Sequence, residues 1–175
     1  MEFNEIKVFL DEKNLKYNRP SFIETDPIQI PKKFSQKGDI EIAGFLTATI
    51  SWGNRNAIIK NALKLMSLMD YQPHDFILNS SRSEIKKLGN FVHRTFNGDD
   101  CIYFAHSLKN LYQNHGGLQT VFENGYQKEG TIKSALIHLF SVFFEMEGER
   151  TRKHISNVTK GASAKRLNMF LRWMV

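Results

Sequence analysis

The sequence predicts an all-α fold, on three observations. Apolar residues recur at i, i+3, i+4, i+7 spacing over most of the chain, most plainly at Ile132, Ala135, Leu136, Leu139, Phe140 and Phe143. No run alternates apolar and polar residues as a sheet-building strand would. The breaks between periodic segments, such as "GNRN" and "HGGL", carry the residues that start and stop helices. At ~11 residues per helix the chain has room for about seven or eight.

Phe3, Ile6, Val8, Phe9 and Leu10 predict a first helix. "NRPSFIETDPIQIPKKF" follows, and its three prolines read as an extended connection. Asp39 is a candidate cap for the next helix, "IEIAGFLTATISW". Ile42, Phe45, Leu46, Thr49 and Ile50 share one of its faces, and the others are nearly as apolar, so it should be central and buried. "GNRN" ends it. Ile58, Ile59, Ala62, Leu63, Met66 and Met69 mark a second amphipathic helix, Pro73 starts a short one through Leu78, and Ser83 to Leu88 is another turn or two. "GNFVHRTFNGDD" reads as irregular or briefly extended. Asp99 or Asp100 can cap a helix running to Tyr112, packed through Cys101, Ala105, Leu108 and Tyr112. After the break at "HGGL" comes the helix from Ile132. At the end, Gly161 can turn the chain and Ser163 can cap a last helix. Ala164, Leu167, Phe170 or Leu171, and Met174 make its apolar face, while Lys165, Asn168 and Arg172 share a polar one. The organisation expected is an N-terminal helix and connection over residues 1–38, a helical lobe over 39–158, and a final segment over 159–175.

With 175 residues the chain can bury the core of one domain. Lys and Arg outnumber Asp and Glu by 24 to 18, a net charge of +6, which suggests an anionic partner; nucleic acid is the commonest. The excess is uneven: from Arg150 to Val175 there are seven cations and no acid. The single cysteine, Cys101, excludes a disulfide framework and four-cysteine metal or iron–sulfur sites within this chain. It fits a reducing cytoplasm. The start "MEFNEIKVFLDEKN" is acidic and lacks the form of a signal peptide. The longest apolar run, Ala135 to Phe144, is broken by His138 and Ser141 and is too short to span a bilayer. His106 and His115 lack metal-ligand partners at useful spacing, and no cofactor motif is present, so neither metal nor cofactor is expected.

Four pieces carry candidate chemistry. Lys165 and Arg166 open the last helix, where the dipole disfavours positive charge. A glycine turn feeding a helix N-terminus suits a phosphate, and the positive helix end and Arg166 favour a neutral, nucleophilic amine on Lys165. The alternative is a solvated lysine on a surface helix. In "SWGNRN", Asn54, Arg55 and Asn56 would project from a loop between apolar helices, able to bond base edges; the alternative is an asparagine capping the next helix. In "LGNFVHRTF", His93 and Arg94 interrupt an apolar stretch, where a lone histidine is commonly a satisfied core residue. "NHGGL" is explained as a helix C-terminus with a left-handed glycine.

In this order the pieces resemble the helix-hairpin-helix base-excision DNA glycosylases, especially the 8-oxoguanine branch. The tail "KRLNMFLRWMV" looks closer still to an uncharacterised bacterial family, a domain of unknown function related to them. The resemblance covers about Ile40 to the end. It implies a helix-hairpin-helix glycosylase-like bundle that binds double-stranded DNA, flips out a damaged base such as an oxidised purine, and breaks its N-glycosidic bond. Lys165 would be the nucleophile at the sugar C1′, with lyase activity a further option. Gly161 would be the hairpin glycine near the DNA backbone. Asn54, Arg55 and Asn56 would fill the gap left by the flipped base, with Arg166 and Arg172 as further DNA contacts. His93 and Arg94 would border the lesion pocket, His93 replacing an aromatic residue. Ser163 stands where the hairpin pattern prefers a second glycine. The family's catalytic aspartate follows this helix in a proline-leucine-aspartate-threonine-histidine motif beyond Val175. The chain is therefore expected to be C-terminally incomplete, inactive as it stands, and to expose apolar surface from Phe170 to Val175. The location implied is the cytoplasm, on the nucleoid. The alternatives are a non-catalytic helical nucleic-acid-binding module and a helical interaction domain whose basic last helix docks on an acidic partner.

Overall fold

The computed structural model describes residues 2–146 and 148–175. Helix α1 (Phe3–Tyr17) opens with the Glu5 carboxylate accepting the Glu2 N–H at 3.0 Å. It buries no residue, and Phe3, Val8, Leu10 and Leu15 stay exposed. The connection behind it is not extended. Pro20 starts α2 (Pro20–Ile23), and Pro27 and Pro31 start the 3-10 turns Pro27–Gln29 and Pro31–Lys33. A proline has no N–H to lose at the first helical position, and its fixed φ already suits a helix. Each ring therefore begins a turn where the sequence pattern suggested a straight run.

Helix α3 (Lys37–Thr49) is the buried centre, with Glu41 through Thr49 inside. It begins earlier than expected, with Gln36 as cap residue. Asp39 sits in its first turn and accepts the His74 N–H at 2.9 Å, so it does not cap its own helix. That bond joins α3 to the start of α5 (Pro73–Asn79). Between them runs α4 (Arg55–Ser67), capped by Asn54 Oδ1 on the Ala57 N–H at 3.1 Å. Ser81 and Glu84 form a capping box for α6 (Arg82–Lys87). Helix α7 (Gly98–Asn114) is capped by Asn97, not Asp99 or Asp100; Asp100 is the other half of that capping box.

Helix α8 (Leu118–Glu129) lies where no helix was expected, and it makes the most extensive helix pair, with α9 (Ile132–Phe143). Gly125 permits this. A Cβ there would stand 2.7 Å from the Ala135 Cα, so any side chain would push the helices apart. Helix α10 (Lys165–Trp173) closes the fold on α3, with Phe170 edge-on to Phe45 at 5.5 Å and tilted on Phe122 at 5.9 Å. The tail is thus less exposed than expected. Phe170 is buried, Leu171, Trp173 and Met174 are half-buried, and Val175 is 91% exposed.

The fold is all-α, with ten α-helices and no strand among the described residues. The excess over the expected number comes from short pieces such as α2 and from α8. The core is rich in phenylalanine: Phe104 packs on Phe143 at 4.7 Å and on Phe96 at 5.2 Å. Each such ring stabilises the fold by roughly 1.5–3 kcal/mol. No described helix is long and apolar enough to cross a membrane.

Candidate nucleic-acid interface

Past the end of α3, the Ser51 hydroxyl donates to the Thr47 carbonyl at 2.7 Å, and the Trp52 N–H to Ile50 O at 2.8 Å. Gly53 then turns the chain at φ +102°. This places the Trp52 ring among three polar neighbours. His93 meets it edge-on at 5.1 Å, His154 lies nearly parallel at 6.0 Å, and the Arg166 guanidinium sits over it at 4.8 Å. Arg94 packs on the turn itself: a side chain at Gly53 would strike it, because Arg94 Nη1 lies 2.7 Å from where its Cβ would be.

His93 is 3% exposed. Its Nε2 is 3.3 Å from the Trp52 carbonyl, and its Nδ1 is 2.8 Å from Asn61 Nδ2. A carbonyl only accepts, so Nε2 carries the proton and Nδ1 accepts from the amide. Burial holds the ring below its ordinary pKa; the bond to Trp52 opposes this and the Arg94 charge adds to it. His93 is thus a satisfied core residue, and Arg94 beside it is exposed in the left-handed region at φ +55°.

A second cluster holds the segment before α10. Asp100 is fully buried at the start of α7. It accepts the Asn97 N–H at 3.0 Å and the Thr151 hydroxyl at 2.9 Å, and it pairs with Arg150 at 2.8 Å. His154 Nε2 lies 3.1 Å from its other oxygen, within ion-pair reach but off the line of a hydrogen bond. Burial works to raise the Asp100 carboxyl, but the Asn97 and Thr151 hydrogen bonds and the His154 and Arg150 charges together hold it below its usual range. Burial also lowers His154, against the pull of Asp100.

Arg166 joins the two clusters to α10. It is half-buried and donates to the Thr49 carbonyl and, at 3.3 Å, to the His154 carbonyl. Its guanidinium faces the protein interior. Lys165, one residue before it, is exposed at the first position of α10, and no side chain caps that helix. Ser163 does not serve as the expected cap. Ala164 takes the cap position in the left-handed region at φ +49°, and the Asn168 amide donates to the Ser163 carbonyl at 3.3 Å. Gly161 is exposed, at φ +79°, with open space where a side chain would go.

Three sequence-derived pieces therefore meet around Trp52 and Gly53: the front of "SWGNRN", the His93–Arg94 pair, and the start of α10. Others turn away. Asn54 is a helix cap. Arg55 lies over the Phe22 ring at 5.4 Å and 3.9 Å from Asp26. Asn56 is exposed. Arg172 is exposed at the far end of α10, 3.4 Å from Asn18 Oδ1. "NHGGL" is a helix end, with Gly116 and Gly117 at positive φ. Trp52, Asn61 and His154 were not singled out in the sequence, and Asp100 only as a cap. Trp52 lies inside the "SWGNRN" motif; Asn61 and His154 carried no signal, since their partners are distant in the chain. No group of three His, Cys, Asp or Glu among the described residues is placed to hold a metal ion.

Residues 26–175 match a family model described as a protein of unknown function (DUF2400). No curated protein and no solved structure matches the chain.

Proposed function

This chain belongs to the DUF2400 family, and for it we propose a duplex-DNA-binding function of the base-excision glycosylase type, with Lys165 as the amine that attacks the sugar. The observation that carries the reading is the setting of Lys165. It stands exposed at an uncapped helix start that Arg166 ties to Trp52, beside the Gly53 turn and Arg94. Uncapped first-turn N–H groups suit a phosphate, which would seat the backbone while the amine faces the sugar. The target bond is inaccessible in stacked DNA, so the base is flipped out first. The Lys165 amine, after giving a proton to solvent, then bonds to C1′ while the base leaves with the electrons of the N-glycosidic bond and takes up a proton. Loss of a proton and opening of the sugar ring leave an imine between Lys165 and C1′.

Borohydride reduces such an imine to a stable secondary amine. With a protein extended to carry the aspartate motif that the resemblance places beyond Val175, the expected result is a covalent band on a denaturing gel with an 8-oxoguanine duplex, absent for Lys165→Ala. A band that persists in the variant would overturn the role of Lys165. A second reading, a non-catalytic DNA-binding module, is favoured by the absence of any carboxylate paired with Lys165 among the described residues. Its signature is salt-sensitive duplex binding with no trapping on any lesion.

A further inference from the structure

A pocket of about 470 Å³ opens between the α1–α2 turn and the far end of α10. Its wall holds three cations, Arg19, Lys32 and Arg172, and three aromatic rings, Tyr17, Phe22 and Trp173. All three cations are exposed, and none belongs to an ion pair among the described residues. The one acid in the wall, Asp26, is already engaged: it accepts the Ile28 N–H at 3.0 Å and faces Arg55 at 3.9 Å. The rings are partly fixed. Tyr17 meets Phe22 edge-on at 5.5 Å, and Trp173 is half-buried.

We infer that this pocket binds a nucleotide unit, a planar base carrying a phosphate. Unpaired cations call for an anion, and guanidinium groups match phosphate oxygens with paired donors. Aromatic walls call for a planar partner, and rings beside cations are the combination that holds single bases with their backbone. A purely apolar ligand would leave three charges without a counter-charge. A bare inorganic anion would leave the half-buried Trp173 ring without a planar partner. The volume lies within the range of small-molecule sites, about 300–1,000 Å³. Arg172 is seven residues along α10 from Lys165, roughly 10 Å at the helical rise, so this is a separate place on the same helix. The inference does not depend on the glycosylase-type reading.

Calorimetry on the full 175-residue chain tests it, with adenosine 5′-monophosphate, adenosine, inorganic phosphate and a short single strand of deoxyadenylate as probes. The monophosphate should bind at least tenfold more tightly than adenosine or phosphate. Arg172→Gln, Lys32→Gln and Trp173→Leu should each weaken it several-fold or more at unchanged far-UV circular dichroism. Lys32 is exposed, so its variant keeps the test open if Trp173→Leu does not fold. Lys165→Ala should bind as the wild type does. If the strand binds more tightly than the monophosphate, the nucleotide belongs to a nucleic acid; equal affinity points to a free nucleotide; both support the pocket. It is overturned if the monophosphate binds no better than adenosine or phosphate, or if Lys32→Gln and Arg172→Gln leave its affinity unchanged. Lost trapping with retained nucleotide binding would sink only the role of Lys165, and the reverse result only the pocket.

Discussion

Trp52 and Asp100 are the residues on which the candidate interface is built, and each is surrounded by groups that titrate. His93 and His154 flank Trp52, and burial depresses the pKa of both rings. In the unfolded chain they take up a proton near pH 6.5; in the fold they resist it. Between the two values the unfolded chain holds more protons, so stability falls as the pH drops from 6.5 through the folded values. Asp100 acts in the same direction lower down. Its stabilisation is present above the ordinary 3.8 and is lost as the pH falls from there through the depressed folded value. The thermal midpoint should therefore drop between pH 7 and pH 5. A His93→Gln, His154→Gln double variant should show a shallower drop, whatever its absolute stability. If both proteins follow the same slope, other groups govern the acid side. The burial of His93 could be read from its apolar neighbours in "FVHRTF". Its partners could not, because Asn61 and Trp52 are 32 and 41 residues away.

At the scale of the element, α10 shows how an amphipathic pattern becomes a position. Its apolar face was plain from Ala164, Leu167, Phe170 or Leu171, and Met174, but the pattern does not say what the face meets. The fold puts Phe170 between α3 and α8, where Phe45 and Phe122 grip it. Phe170→Ala should cost about 3–5 kcal/mol, as for other buried rings cut back to a methyl group. Phe170→Leu should recover most of it. Urea unfolding measures both; a cost below about 1 kcal/mol for the alanine variant would mean that α10 is not anchored there. Helix α8 shows the converse. The two glycines before Leu118 read as a break, although Leu118, Val121 and Phe122 behind them keep helical spacing, with Gly125 inside the helix. Glycine is a poor helix former by intrinsic preference, yet here the close approach of α9 requires it. The prolines of the connection mislead in the same way, since a residue that stops one helix also suits the first position of another.

Over the whole molecule the net charge of +6 is ordinary, and its distribution carries the information. The stretch from Arg150 to Val175 holds cations without acids, and the fold uses some of them internally. Arg150 pairs with Asp100, and Arg166 lies over Trp52. Arg152 is exposed over the Phe140 and Phe144 rings, and Lys153, Lys160, Lys165 and Arg172 are also exposed. If these five meet phosphates, log Kobs for duplex DNA should fall against log salt with a slope of about −4 to −5. Lys160→Gln should make the slope shallower by about one and weaken all duplexes alike. A flat salt response would remove DNA as the partner of these cations.

From the sequence alone came the helical class, the buried central helix, the amphipathic face of the last helix and the basic stretch that ends the chain. All of these are patterns of neighbours within a few residues, which is the range over which helical periodicity and charge density act. Only the tertiary structure decided which polar residues turn inward. Arg166 and Lys165 are adjacent and look alike in sequence, yet one is drawn over Trp52 and onto two backbone carbonyls while the other faces solvent. Successive residues on a helix point about 100° apart, so their fates depend on what packs against each side. Here that is a tryptophan more than a hundred residues earlier in the chain.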